Sequence, residues 1–92
     1  MVLMEQELKV GKKLSPHEDY SGGEVEDAGW IRIDVDPLFD DVTYEEELAL
    51  WDELLDWIKT NADLVNDIRF HYMLCIFFRL EQDAMAFKLR WL

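Results

Sequence analysis

The chain has 92 residues, half of them hydrophobic and 13% aromatic, a composition that supports one folded domain and argues against intrinsic disorder. Its 21 acidic residues against nine lysines and arginines give a formal charge of -12, which opposes binding to DNA, RNA or anionic membranes and favours basic protein partners. No apolar stretch approaches the length of a bilayer span, and Glu5 and Glu7 stand where a signal peptide needs apolar residues. We therefore expect a single cytoplasmic domain over residues 1–92.

The negative charge is concentrated in the middle of the chain. Between Pro16 and Ile58 there are fifteen acidic residues and one basic residue, Arg32, so this segment carries a net charge of -14 and the remainder +2. Such segregation costs folding free energy through self-repulsion. We expect these carboxylates to lie together on one exposed flank that serves a function.

The first half of the chain predicts little regular structure. Residues 7–10 alternate weakly and fit an edge strand or a frayed helix about equally. Residues 15–28 combine Pro16 and Gly22-Gly23 with acidic residues and show no apolar period, which predicts a flexible acidic loop. Residues 30–35 alternate cleanly, with Ile31, Ile33 and Val35 on one face, and predict a half-buried strand.

A helix is predicted over residues 44–59. Thr43 and Glu46 match a capping box, in which each side chain accepts a hydrogen bond from the other residue's backbone N–H. The apolar residues at helical spacing predict one inward stripe of Tyr44, Leu48, Trp51, Leu55 and Ile58, widened by Leu50, Leu54 and Trp57 to about half the circumference. The outer face is then almost purely anionic.

The second half predicts a strand and a helix. Residues 68–80 alternate without interruption and predict one long strand, and residues 82–91 predict a short helix. The fold class is therefore α+β, a sheet of two or three strands packed by two helices. We expect a parallel crossover between strands 30–35 and 68–80, in a ferredoxin-like half or a sheet completed by a homodimer.

The closing segment resembles a known group of proteins. Residues 78–91 read FRLEQDAMAFKLRW, an acidic residue and Asp-Ala followed by Phe, Leu and Trp at alternating positions after an apolar strand. This ending resembles the last strand and helix of many small acidic accessory proteins of tailed bacteriophages. The resemblance covers about fifteen residues and transfers no functional residue. It implies a viral protein in the host cytoplasm, where small acidic proteins often disable host machinery.

The candidates for chemistry are few. Asp34 and Asp36 share a strand face and offer oxygen ligands to a divalent cation, but a solvated face explains them better. Cys75, the single cysteine, lies among apolar residues that raise a thiol pKa, and His71 on the same strand lies about 13 Å away. We expect no enzyme activity, no cofactor and no metal.

The leading specific hypothesis is that the protein acts as a decoy for nucleic acid. Carboxylates about 5–7 Å apart along a rigid helix can imitate a row of nucleic-acid phosphates and bind a basic DNA- or RNA-handling protein. The predicted partner-binding residues are Asp40, Asp41, Glu45, Glu46, Asp52, Glu53, Asp56 and Trp57. The loop is predicted to add a mobile auxiliary arm made of Glu18, Asp19, Glu24, Glu26 and Asp27.

An alternative remains open. The acidic exterior can simply keep an apolar-rich protein soluble. The working surface would then be an apolar strand face, centred on Met73, Cys75 and Phe77, through which a structural or assembly protein forms a homodimer.

Overall fold

The computed structural model of the chain describes residues 8–71 and 74–92. Within them it contains three strands, three α-helices and one 3-10 helix, and the α+β class is confirmed. In chain order the elements are α1 (Gly22–Asp27), β1 (Ile31–Asp34), the 3-10 helix (Asp36–Phe39), α2 (Tyr44–Asn61), β2 (Ile68–His71), β3 (Cys75–Phe78) and α3 (Glu81–Trp91).

The predicted long strand over residues 68–80 is wrong, because the chain reverses within it. β2 and β3 pair antiparallel, with Ile68 opposite Phe78 and His71 opposite Cys75. Leu74, just before β3, has a φ of 56°, a left-handed conformation that a bulky residue seldom adopts. The apolar alternation continues through the turn, and none of the usual turn residues marks it, so the pattern does not reveal the reversal.

The predicted parallel pairing is also wrong. The strand order is β1-β3-β2, and β3 pairs antiparallel with both neighbours. β1 and β2 therefore run parallel to each other but are separated by β3. Of the proposed element at residues 7–10, the described part supplies only a bridge between Val10 and Leu80, with residue 7 outside the described range.

The helices α2 and α3 cover one face of the sheet. Residues paired directly across antiparallel strands point to the same face, so Ile33, Ile76 and Phe70 lie together. Against this face pack Leu54 and Ile58 of α2 and Ala84 and Phe87 of α3, in one hydrophobic cluster with Ile33, Val35, Ile68, Ile76 and Phe78. α2 and α3 meet through Trp57 and Phe87, whose ring centroids are 5.8 Å apart.

The start of α2 is confirmed, but its inward face differs from the prediction. Thr43 and Glu46 form the capping box. Leu54 and Ile58 are fully buried, whereas Tyr44 is 74% exposed and Leu48 49% exposed. The buried centre is rotated by about 60° from the midpoint of the five-residue stripe, at 100° per residue, but lies within the wider apolar half that was predicted. Half the circumference is apolar, so hydrophobicity alone does not select the half that is buried.

The other face of the sheet is covered by residues that were predicted to form a flexible loop. Ser21 and Glu24 form a second capping box and start α1, which the glycines and the lack of an apolar period obscured. Val25 of α1 and Trp30 are buried against Cys75 and Phe77. The prediction for residues 15–28 is therefore wrong, because α1 closes a second, smaller core.

Polar contacts tie the segment before α1 to the sheet. Arg69 of β2 donates hydrogen bonds to the carbonyls of Ser15 and Glu18 and lies over the ring of Tyr20, with its guanidinium carbon 4.8 Å from the centroid. The indole N–H of Trp30 donates to the carbonyl of Lys12 at 2.7 Å. Residues 12–30 therefore form a fixed cover, which we call the α1 cover.

A buried ion pair joins the two ends of the hairpin. Arg79 Nε donates to Asp67 Oδ1 at 2.6 Å, and the two side chains are only 14% and 11% exposed. Arg79 also donates to the carbonyl of Gly11 at 3.3 Å, so it links the first described residues to the sheet.

Truncation of Val25 tests the α1 cover. Val25→Ala should lower the free energy of unfolding by about 2 kcal/mol, because it removes two buried methyl groups. Urea denaturation measures this change. Asp27→Ala, on the exposed side of the same helix, should stay within about 0.5 kcal/mol. Equal stability of the Val25 variant and the unchanged protein would show that α1 does not pack.

The ion pair gives a second stability prediction. Asp67→Asn should lower the free energy of unfolding by about 3 kcal/mol, because it removes the carboxylate that is paired directly with the largely buried charge of Arg79. The control is Asp34→Asn, which breaks an exposed pair with Arg32 and should cost less than about 1 kcal/mol. Similar losses in both variants would contradict the special role of Asp67.

Candidate functional site

The outer surface of α2 presents five exposed carboxylates, which we call the α2 acidic face: Glu45, Glu46, Asp52, Glu53 and Asp56. At 100° per residue they form two rows. Glu45, Asp52 and Asp56 lie within about 40° of one another around the helix, separated by axial rises of about 10 Å and 6 Å. Glu46 and Glu53 form the second row.

Within the described part of the chain, no basic side chain forms an ion pair with the α2 acidic face, although Arg90 lines the same cleft as Glu53 and Asp56. Among the described residues, the ion pairs join Arg32 to Glu26 and Asp34, and Arg79 to Asp67, so none involves this face. Glu46 is partly engaged elsewhere, since its carboxylate accepts a hydrogen bond from the backbone N–H of Thr43 at 3.4 Å. Glu45, Asp52, Glu53 and Asp56 are left as the acceptors most available to a partner.

Three further predicted partner-binding residues lie beside this face. Asp40 and Asp41 are exposed just before α2, and Asp41 has a φ of 57°, which aspartate tolerates better than most residues. Trp57 is half-buried against Phe87, so its main role is to pack in the core. Its remaining surface lines a cleft of about 440 Å³ between α2 and α3, together with Glu53 and Asp56.

The predicted auxiliary arm lies elsewhere. Its five carboxylates are exposed, but α1 packs on the opposite face of the sheet from α2. Three of them have local partners: Glu18 accepts from the hydroxyl of Tyr20, Glu24 caps α1, and Glu26 pairs with Arg32. The expectation of a single acidic flank is therefore wrong, because the two acidic segments cover opposite sides of one sheet.

The predicted dimer surface is not exposed. Cys75 and Phe77 are 3% and 1% exposed, because Val25 and Trp30 cover them. Met73 lies outside the described residues. A homodimer built on Cys75 and Phe77 is incompatible with this packing.

The hairpin brings His71 and Cys75 together, contrary to the predicted 13 Å. They are directly paired across β2 and β3, with an expected Cβ separation of about 5 Å. The imidazole packs edge-on against Phe77, at 4.9 Å between centroids, and no hydrogen bond joins it to the thiol in the described structure. Burial raises the pKa of the Cys75 thiol, and Asp34 and Glu26 raise it further against the opposing effect of Arg32. A thiol held protonated is a poor nucleophile.

The described residues offer neither a metal site nor a membrane-spanning helix. Over residues 8–71 and 74–92, no group of three or more His, Cys, Asp or Glu side chains is arranged to hold a metal ion. Asp34, the candidate ligand, instead accepts a hydrogen bond from Arg32 Nε at 2.8 Å. Among the helices of this described part, none combines the length and apolar character needed to cross a bilayer.

Five apolar side chains form a partly exposed surface, which we call the apolar ridge: Phe39, Tyr44, Leu48, Trp51 and Phe70. The sequence pattern assigned all of them except Phe39 to the core, and Phe39 and Trp51 are half-buried against the larger core. Phe39 stacks on Trp51 at 4.9 Å between centroids, and Trp51 meets Phe70 edge-on at 6.3 Å. Tyr44, Leu48 and Trp51 are neighbours at helical spacing on α2. Periodicity alone does not reveal this surface, because its residues on α2 and β2 have the same period as the buried ones.

Comparison with protein-family models, with curated proteins and with solved structures finds no match to this chain. The resemblance of residues 78–91 to phage accessory proteins therefore stays an expectation.

Labelling of Cys75 tests its burial. At pH 8 a thiol reagent should react at least about 100-fold more slowly with the folded protein than with the unfolded chain, because reaction requires the α1 cover to open. The pKa of the folded thiol lies above that of the unfolded one. Ionisation at alkaline pH therefore opposes folding, and the protection should decrease as pH rises above the unfolded pKa.

The Val25→Ala variant provides the comparison for this measurement, since a loosened cover should accelerate labelling. Equal rates in the folded and unfolded chains would show that Cys75 is accessible. The hypothesis of a dimer surface at Cys75 and Phe77 would then stand again.

Proposed function

We propose that this protein is a non-catalytic acidic interaction protein, of the type with which phages inhibit host machinery, and that it imitates nucleic-acid phosphates to bind a basic DNA- or RNA-handling protein. The observation that carries the proposal is the α2 acidic face, a set of exposed carboxylates on a capped helix of 18 residues with no ion pairs among the described residues.

Rigidity supports this function. Leu54 and Ile58 anchor α2 in the larger core, and Trp57 fixes it against α3, so its carboxylates have constant spacing. A fixed row of negative charges loses little conformational entropy on binding and steers a basic groove toward it.

The acidic residues of α2 and those of the α1 cover have different parts in the proposed binding. α2 and the adjoining Asp40 and Asp41 supply the phosphate surrogates, and the acids of the α1 cover lie too far around the molecule to extend the same row. Their contribution is long-range attraction, which falls with ionic strength because salt screens exposed charges. We therefore assign the specific contacts to α2 together with Asp40 and Asp41, and none to the α1 cover.

A charge-reversal pair tests the function. The immobilised protein should retain basic nucleic-acid-binding proteins from a bacterial lysate, release them in a salt gradient, and release the same proteins when duplex DNA competes for their binding groove. Asp52→Lys/Asp56→Lys should reduce the apparent affinity for the retained protein about tenfold or more, as measured by titration after purification.

The matched control is Asp19→Lys/Asp27→Lys, which changes the net charge equally on the opposite face of the sheet and should reduce affinity much less. Both pairs leave the two capping boxes intact, and circular dichroism verifies the helices. Equal losses in the two pairs would mean that only net charge matters. No loss in the α2 pair would refute the proposed function.

A further inference from the structure

We propose that the apolar ridge is the docking surface for a cationic amphipathic segment of the partner protein. Apolar side chains of that segment would cover the ridge while its lysines or arginines contact the carboxylates beside it. This inference rests on the proposed function and specifies the chemistry of the partner.

The composition of the ridge is unusual for a free surface. Tyr44, Leu48 and Phe70 are 74%, 49% and 39% exposed, and Phe39 and Trp51 join them into one contiguous surface from three elements of the fold. Isolated apolar residues on a surface are ordinary, but a contiguous patch with polar edges marks a site of association. Aromatic residues on a rigid base are also the side chains that most often dominate binding energy.

The negative charges at the edge of the ridge favour a partner segment that carries positive charge. Glu45 and Asp52 lie three residues before and four after Leu48, so they border it on the side of the α2 acidic face. Asp40 and Asp41 follow directly after Phe39 and are exposed. A segment that covers the ridge therefore meets carboxylates along the α2 side and next to Phe39, and positive charges at those margins would pair with them, whereas the Phe70 end lies beside Arg69 and His71.

The same edge argues against a second copy of this chain. In a two-fold symmetric dimer through the ridge, the carboxylates of one protomer would approach those of its partner. Like charges placed opposite each other across an interface oppose association, and each chain already carries a net charge of -12. A cationic segment removes this repulsion and buries the same apolar surface.

The ridge and the α2 acidic face are adjacent, so one ligand can contact both. Leu48 lies about 60° around the helix from the row formed by Glu45, Asp52 and Asp56. The carboxylates then determine the approach and the salt dependence, and the ridge supplies contacts that persist at high salt. This division predicts two separable components of binding.

The experiment uses two synthetic probes of equal charge and length, an amphipathic peptide of leucine and lysine at helical spacing and a peptide of lysine and glutamine. Isothermal titration at low and high salt gives their affinities for the full chain. We expect the amphipathic peptide to bind more tightly and to retain binding at high salt. In Tyr44→Gln/Leu48→Gln, its affinity should fall about tenfold, whereas that of the lysine–glutamine peptide should not change.

The matched control replaces two apolar residues of α3 that are at least as exposed on average, Met85 and Leu89, at 50% and 87%. Met85→Gln/Leu89→Gln should leave both affinities unchanged. Glutamine keeps helix propensity in all four positions, and circular dichroism confirms that each variant folds.

The outcomes separate this inference from the proposed function. If Asp52→Lys/Asp56→Lys weakens both peptides while Tyr44→Gln/Leu48→Gln weakens neither, the acidic face binds cations and the ridge proposal is overturned. If the ridge variant loses the amphipathic peptide but charge reversal has no effect, the occupant is not cationic, which contradicts both proposals. If sedimentation shows a dimer that Tyr44→Gln/Leu48→Gln dissociates, the occupant is a second copy and the proposal fails.

Discussion

The central strand β3 must be covered on both faces, and the rest of the structure follows from that constraint. Cys75, Ile76, Phe77 and Phe78 are all buried. Ile76 and Phe78 face α2 and α3, whereas Cys75 and Phe77 face α1 and Trp30. With one face open, large apolar side chains would be exposed to water, at a cost of about 1.5–3 kcal/mol each. A domain of this size cannot easily offset such a loss.

Covering both faces also distributes the negative charge. The helical layer carries the α2 acidic face, and the α1 cover carries the second group of carboxylates on the other side of the sheet. Separating the groups reduces their mutual repulsion, and Arg32 neutralises part of the charge near α1 through Glu26 and Asp34. Arg32 pairs with carboxylates near α1 and not with those of α2, so the α2 acidic face has no ion pair among the described residues.

The orientation of α2 connects the fold to the proposed activity. Its contacts with the sheet and with α3 require Leu54, Ile58 and Trp57 to face inward, so Tyr44 and Leu48 turn outward beside the carboxylates. One helix thereby presents an acidic surface and an apolar surface side by side. A basic groove that recognised charge alone would not distinguish this protein from other acidic surfaces, whereas a groove with an adjoining apolar segment would.

Local patterns in the sequence determined the α+β class, the strand at Ile31–Asp34, both main helices, the capping box at Thr43 and the anionic outer face of α2, because each depends on residues close together in the chain. Only the tertiary structure decided where the 68–80 segment reverses, since its apolar alternation is the same in one strand or in two. It also decided that residues 12–30 cover the second sheet face, because Val25 has a buried position only when Phe77 is opposite it. Tertiary contacts also determine the rotation of α2. Its apolar half is wider than the surface that the sheet can bury. Contacts with residues distant in sequence therefore select which apolar side chains are buried and which stay exposed.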